Sequence, residues 1–112
     1  DLNVAHLDAD IWNVGAKHLV KSAGTTPQER AAFGKLLDAG YVDAFRHLHP
    51  DATGCFSYWS TRSGNQHLNR GLRLDYFLVE PALEPAVADV QIRDDLEGSD
   101  HCPVVLTLDT AA

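Results

Sequence analysis

At 112 residues the sequence fits a single domain large enough to bury a core. Its formal net charge of -7 excludes an all-over basic nucleic-acid binder, and the absence of any run of about 18 apolar residues excludes a membrane-spanning helix. Cys55 and Cys102 lack CxxC spacing, which argues against a zinc site or a disulfide framework and for two buried free thiols. With no methionine and no signal peptide in the part given, the sequence reads as a piece of a longer protein, with an intracellular location as the default.

In chain order, Asp1 to Ala5 reads as the end of a strand, and His6 to Gly24 as a long connection carrying Lys17 and Lys21. The clearest helix spans 26 to 38. Thr26 can cap it, Pro27 suits the first helical position, Glu29 can return the capping bond, and Phe33, Leu36 and Leu37 recur at helical spacing before Gly40. Tyr41 to Leu48 predicts a short helical segment closed by His49-Pro50. Ser57 to Ser60, Leu72 to Val79, Val87 to Ile92 and Val104 to Leu108 predict strands. Several strands with few helices between them imply an α+β fold, a mainly antiparallel or mixed sheet with helix on one face. The sequence shows neither an internal repeat nor a low-complexity segment.

Charge is unevenly distributed. Between Asp51 and Asp75 there is no acid, while Arg62, Arg70 and Arg73 fall in that window with His67 and the polar run Ser63-Gly64-Asn65-Gln66. Such a window can face phosphate. The acids concentrated from Glu80 to Asp100 read as a solvated surface.

Three short clusters place polar groups beside strand ends: Asp1-Leu2-Asn3, Arg73-Leu74-Asp75-Tyr76 and Ser99-Asp100-His101. Asp75 interrupts an apolar run, and a buried carboxylate is costly without a partner, so His101 or Arg73 is expected to hold it. Paired with His101 it would fix the tautomer of the ring; paired with Arg73 it would be purely structural. Asp100 suits a hard cation such as Mg2+ or, equally, a turn after Gly98. Asp1 and Asn3, two apart, share a face if the segment is extended, where they could orient a water and take its proton or serve as ordinary turn formers.

Together, DLNVAH (1–6), TPQERAAFGKLL (26–37), VDAFRHLHP (42–50), NRGLRLDYFL (69–78) and GSDHCPV (98–104) resemble the C-terminal half of the exonuclease III family of apurinic/apyrimidinic (AP) endonucleases, over essentially the whole chain. The resemblance implies half of a four-layer, deoxyribonuclease I-like sandwich occupying residues 1–112, with the N-terminal half of the same domain absent. It implies hydrolysis of the DNA phosphodiester 5' to an abasic site in double-stranded DNA, with Mg2+ or Mn2+, and 3'-phosphodiesterase or 3'-5' exonuclease activity in the full-length protein. Asp1 and Asn3 match the residues that handle and orient the nucleophilic water and lie near the metal. Asp75 matches the partner of the catalytic histidine, Asp100 the metal-proximal aspartate, and His101 the histidine at the scissile phosphate. Tyr58, Trp59 and Leu72 match the pocket for the extruded sugar, with Leu72 standing where several relatives have Trp, while the residues alone allow both aromatics a plain core role equally well. Arg62, Arg70 and Arg73 would face the backbone, with service to the fold as the alternative for Arg73.

The family's metal-binding Glu, Asn-Asp pair and active-site Tyr are not in this sequence. Half a sandwich would expose its inner face, so the isolated piece is expected to self-associate and to be inactive or nearly so. Nucleus or bacterial cytoplasm follows as the location according to the organism. Another phosphoesterase of the same superfamily, or a non-catalytic DNA-binding remnant, are the alternatives.

Overall fold

The computed structural model describes residues 1–62 and 64–110; Ser63, named above in the acid-free window, lies outside the described residues. Helix α1, Pro27–Asp38, starts as its sequence dictates: the Thr26 hydroxyl accepts the Glu29 N–H at 3.2 Å and donates to the Glu29 carboxylate at 2.7 Å. That carboxylate also accepts the Gly24 N–H, which fixes how the chain enters the helix. Strand β1 (Val42–Asp43), helix α2 (Ala44–Leu48), β2 (Tyr58–Trp59), β3 (Gly71–Leu72), β4 (Leu78–Val79), β5 (Val87–Ile92) and β6 (Val104–Leu108) follow. They pair as three antiparallel two-stranded sheets, β1 with β4, β2 with β3 and β5 with β6. No helix of the described residues is long and apolar enough to cross a membrane.

Three expectations need correction and one gains detail. The segment 41–48 is a short strand followed by a helix, because Asp43 caps α2 through its side chain on the Arg46 N–H and breaks the helix there. The long connection after His6 contains two 3-10 turns, Asp8–Asp10 and Lys17–Lys21. The run 72–79 is two strand ends, not one strand. Between them, the Arg73 N–H bonds to the Asp10 carbonyl, those of Leu74 and Asp75 bond to the Ser57 hydroxyl, and the Phe77 carbonyl accepts from Ala44. With partners on three different segments, the backbone cannot form one ladder. Finally, Asp1 to Ala5 is not a strand, since Asn3 sits at φ 53°, in the left-handed region. Asp1 and Asn3 therefore do not alternate as in an extended chain; the Asn3 N–H turns back onto Asp1 Oδ1 at 2.8 Å.

The core falls into three clusters. Ala44, Phe45, Val79, Val87 and Val90 pack α2 onto β5. Ala5, Ile11 and Leu74, with Tyr58 and Leu72 against them, form the second, and Phe56, Trp59 and Cys102 the third. Cys102 is buried as expected, whereas Cys55 is half-buried. Burial and the carboxylates of Asp94 and Asp75 push the Cys102 thiol up to about 11.

At the centre lies Arg73, with no solvent exposure. Its Nε donates to Asp10 at 2.7 Å and its Nη atoms to Asp43 at 3.0 and 2.6 Å. Arg46 adds a bond to Asp10 at 2.6 Å, and the guanidinium stacks 4.5 Å from the Tyr76 ring. Burial works against the charge on Asp10, yet the bonds and charge of Arg73, the Leu7 N–H and Arg46 outweigh it and hold the carboxyl below its usual range.

Candidate active site

Strand β2 is the frame of the site. Tyr58 pairs with Leu72 of β3 on one side and bridges to His101 on the other. The His101 segment is held there by the Trp59 N–H on the Asp100 carbonyl and the Cys102 N–H on the Ser57 carbonyl, both at 2.9 Å. Close approach of β3 requires glycine: a Cβ on Gly71 would stand 2.5 Å from the Tyr58 carbonyl oxygen and 2.6 Å from the Trp59 ring.

Ser57, fully buried, orients Asp75 by accepting the N–H groups of Leu74 and Asp75 at 3.0 and 3.1 Å. Tyr76 ties the same segment to the chain start, its hydroxyl 2.7 Å from the Val4 carbonyl and 3.2 Å from the His6 N–H. These two anchors were not read from the sequence; a serine beside an aromatic pair and a tyrosine after Asp75 give no signal without knowing which segments meet.

The outcome is a compact polar cluster. His101 Nδ1 lies 2.8 Å from Asp75 Oδ2, and its Nε2 lies 3.7 Å from Asp1 Oδ2. Ligand-capable atoms of Asp1, Asp75 and His101 all fall within 4.8 Å of one another. Asp75 is 17% and His101 29% exposed, so the pair faces solvent without being open to it, and the Tyr58 ring packs 5.1 Å from the imidazole. Of the two partners the sequence allowed Asp75, His101 is the one found; Arg73 is committed to Asp10 and Asp43.

Other site residues divide. Asn3 and Asp100 are exposed near this group but outside it; the Asp100 carboxylate receives the Ser99 hydroxyl at 3.3 Å. Leu72 is half-buried, and Arg62 and Arg70 are exposed. Arg73 is not available to a ligand, because two buried carboxylates hold it inside. Trp59 likewise leaves the expected pocket: it is 2% exposed, packs on Phe56 and Cys102, and donates its indole N–H to Asn69 Oδ1 at 3.1 Å. Asp10 and Asp43, which neutralise Arg73, were not singled out in the sequence; an arginine inside an apolar run was the signal that buried acids must lie elsewhere.

No family model matches the chain. It is 47% identical over 108 residues to an exodeoxyribonuclease of Bacillus subtilis, a match covering 96% of this chain and 42% of that protein. Its structure resembles that of the AP endonuclease LMAP from Leishmania major, with TM-score 0.91 and 38% identity, over 97% of this chain and 33% of that one. This chain is a homologue of the exodeoxyribonucleases and AP endonucleases. A second solved relative at 33% identity and TM-score 0.88, covering 97% of this chain and 43% of its own, is the 3' phosphatase NExo from Neisseria bound to a product DNA hairpin. The chain thus spans less than half the length of each of these homologues, and its α+β architecture is that of a segment of their fold.

Proposed function

We propose that this chain supplies the His101 side of the active site of a metal-dependent DNA phosphodiesterase that incises 5' to an abasic site, with 3'-phosphodiesterase or 3'-5' exonuclease activity in the full-length protein. The observation that carries the reading is the Asp75–His101–Asp1 cluster, on a chain homologous to AP endonucleases.

In-line hydrolysis of a phosphodiester needs a positioned water, a proton acceptor and charge at the equatorial oxygens. Asp75 fixes the imidazole of His101 through Nδ1, which leaves Nε2 to meet a phosphate oxygen. Asp1, half exposed and 3.7 Å from that nitrogen, takes the proton of the attacking water, and Asn3 orients the water from beside it. Oxygen donors of Asp1 and Asp75 suit a hard cation, with Asp100 close enough in sequence to His101 to approach it. When bound, Mg2+ or Mn2+ supplies positive charge to the phosphate. Tyr58 and Leu72 receive the extruded sugar, which has little stacking to lose, and Arg62 and Arg70 meet the backbone.

The test is incision of a duplex bearing one synthetic abasic site, with Mg2+, with Mn2+ and with chelator, by this chain alone and joined to the N-terminal half of a homologue. Metal-dependent cleavage by the joined protein supports the proposal; a folded joined protein that leaves the duplex intact refutes it. A 3'-phosphate substrate run in parallel tests the second activity, which the likeness to the 3' phosphatase favours.

A further inference from the structure

Trp12 is out of place for a tryptophan of the core. It is 46% exposed, whereas Trp59 is 2% exposed. Its backbone is nonetheless firmly placed: the Trp12 N–H donates to the Gly71 carbonyl at 3.1 Å, and Ile11 bridges to Leu72. The indole therefore stands beside the residues expected to receive the sugar. Over its ring lies the Arg70 guanidinium, 5.4 Å from the centroid.

Trp12 borders a cleft of about 410 Å³ that runs past Tyr58 and Leu72 and carries Arg62, Arg70 and His18. Of the chain's 16 acidic residues, none lines this cleft among the described residues. The second cleft that Trp12 and Arg70 border carries Asp8, so the cationic side is the one toward Leu72. An exposed π surface, a cation on its face and an acid-free channel are the elements that hold a single strand: bases stack on aromatic rings while basic residues track the phosphates.

We propose that Trp12, braced by Arg70, is a stacking platform for a nucleotide flanking the scissile phosphate. This rests on the DNA reading above and adds to it a residue that determines how tightly, not how fast, the strand is processed.

The test uses the intact protein carrying this sequence, in wild-type, Trp12→Ala and Trp12→Phe forms, with an abasic duplex containing 2-aminopurine beside the lesion. Binding is followed in chelator by the fluorescence anisotropy of an end-labelled duplex, stacking by 2-aminopurine emission, and incision is measured with Mg2+. Stacking predicts that Trp12→Ala raises Kd and KM about 10-fold, within the range of one lost base–aromatic contact, with kcat within about 2-fold. Trp12→Phe, which keeps a ring, should recover to within about 3-fold. The emission change on binding should persist in Trp12→Phe and vanish in Trp12→Ala. Equal affinity and emission for wild type and Trp12→Ala, or a Trp12→Phe variant as impaired as Trp12→Ala, would overturn the platform while leaving incision to stand. Absence of incision and binding by the wild type would overturn both.

Discussion

Replacing Arg73 by methionine separates a structural from a DNA-binding role for the most deeply buried cation in the chain. Methionine fills a similar volume but leaves Asp10, with no exposure, and Asp43, at 6%, without their partner. Stranding a buried charge in this way costs about 3–5 kcal/mol. Arg46 keeps its bond to Asp10, so Asp43 carries most of the loss. A folded domain is typically stable by about 5–15 kcal/mol, so the variant gives up a large share of that margin. At a urea slope of about 2 kcal/mol per molar, a 4 kcal/mol loss moves the midpoint down by about 2 M. Circular dichroism across a urea titration of the intact protein measures this, and Arg73→Lys, which keeps the charge without the planar fork, should fall between the two. A midpoint within about 0.5 M of wild type, together with weakened binding to abasic duplex, would refute the argument and put the guanidinium at the DNA surface.

In the intact protein, His101→Ala or Asp1→Asn should lower incision by at least about 100-fold while abasic-duplex binding stays within a few-fold, and wild-type cutting by either variant would end the role assignment. Ser57→Ala leaves two N–H groups without an acceptor and should destabilise by about 2 kcal/mol or more, read from the same urea titration. Acid should weaken the fold through Asp10. Its carboxyl is lower when folded than the 3.8 of the unfolded chain, so its contribution is complete above that value and is lost as the pH falls below it through the folded one; removing the dependence with Asp10→Asn is the check. With Ellman's reagent at pH 8, Cys55 should react in the native protein and Cys102 only after unfolding, because burial and nearby carboxylates hold the latter as the thiol; two fast thiols would contradict the buried position of Cys102.

Helix α1 was readable in full because each of its signals is local: a capping threonine, a proline at the first position, a glutamate two residues on and a glycine after the end. Strands β5 and β6 were readable for the same reason, β5 as a short run in which valine and isoleucine recur and β6 as an apolar run rich in β-branched residues. The run from Leu72 to Val79 was not, since what breaks it is the hydroxyl of Ser57 and the carbonyl of Asp10, both distant in sequence. Asp75 was expected to need a partner, and its choice of His101 over Arg73 followed only once Arg73 was seen to be claimed by Asp10 and Asp43. Trp59 went inward and Trp12 outward, a division that residue type cannot convey because either aromatic serves a core or a ligand. Arg73 shared a window with Arg62 and Arg70, and alternation along a two-residue strand end was too short to show that it turned the other way.

The double pairing of Tyr58 has a mechanical consequence. Residues 72 and 101 are joined along the chain by a path through two strands, a 3-10 turn and an exposed loop, and over such a path small displacements accumulate. Across β2 the route is one register step to Leu72 and one to His101, so both are gauged from a single common datum. The spacing between sugar-receiving and phosphate-facing sides is therefore insulated from slack in the acidic loop that delivers the histidine, and substitutions there can tune solubility or charge without disturbing the alignment of the site.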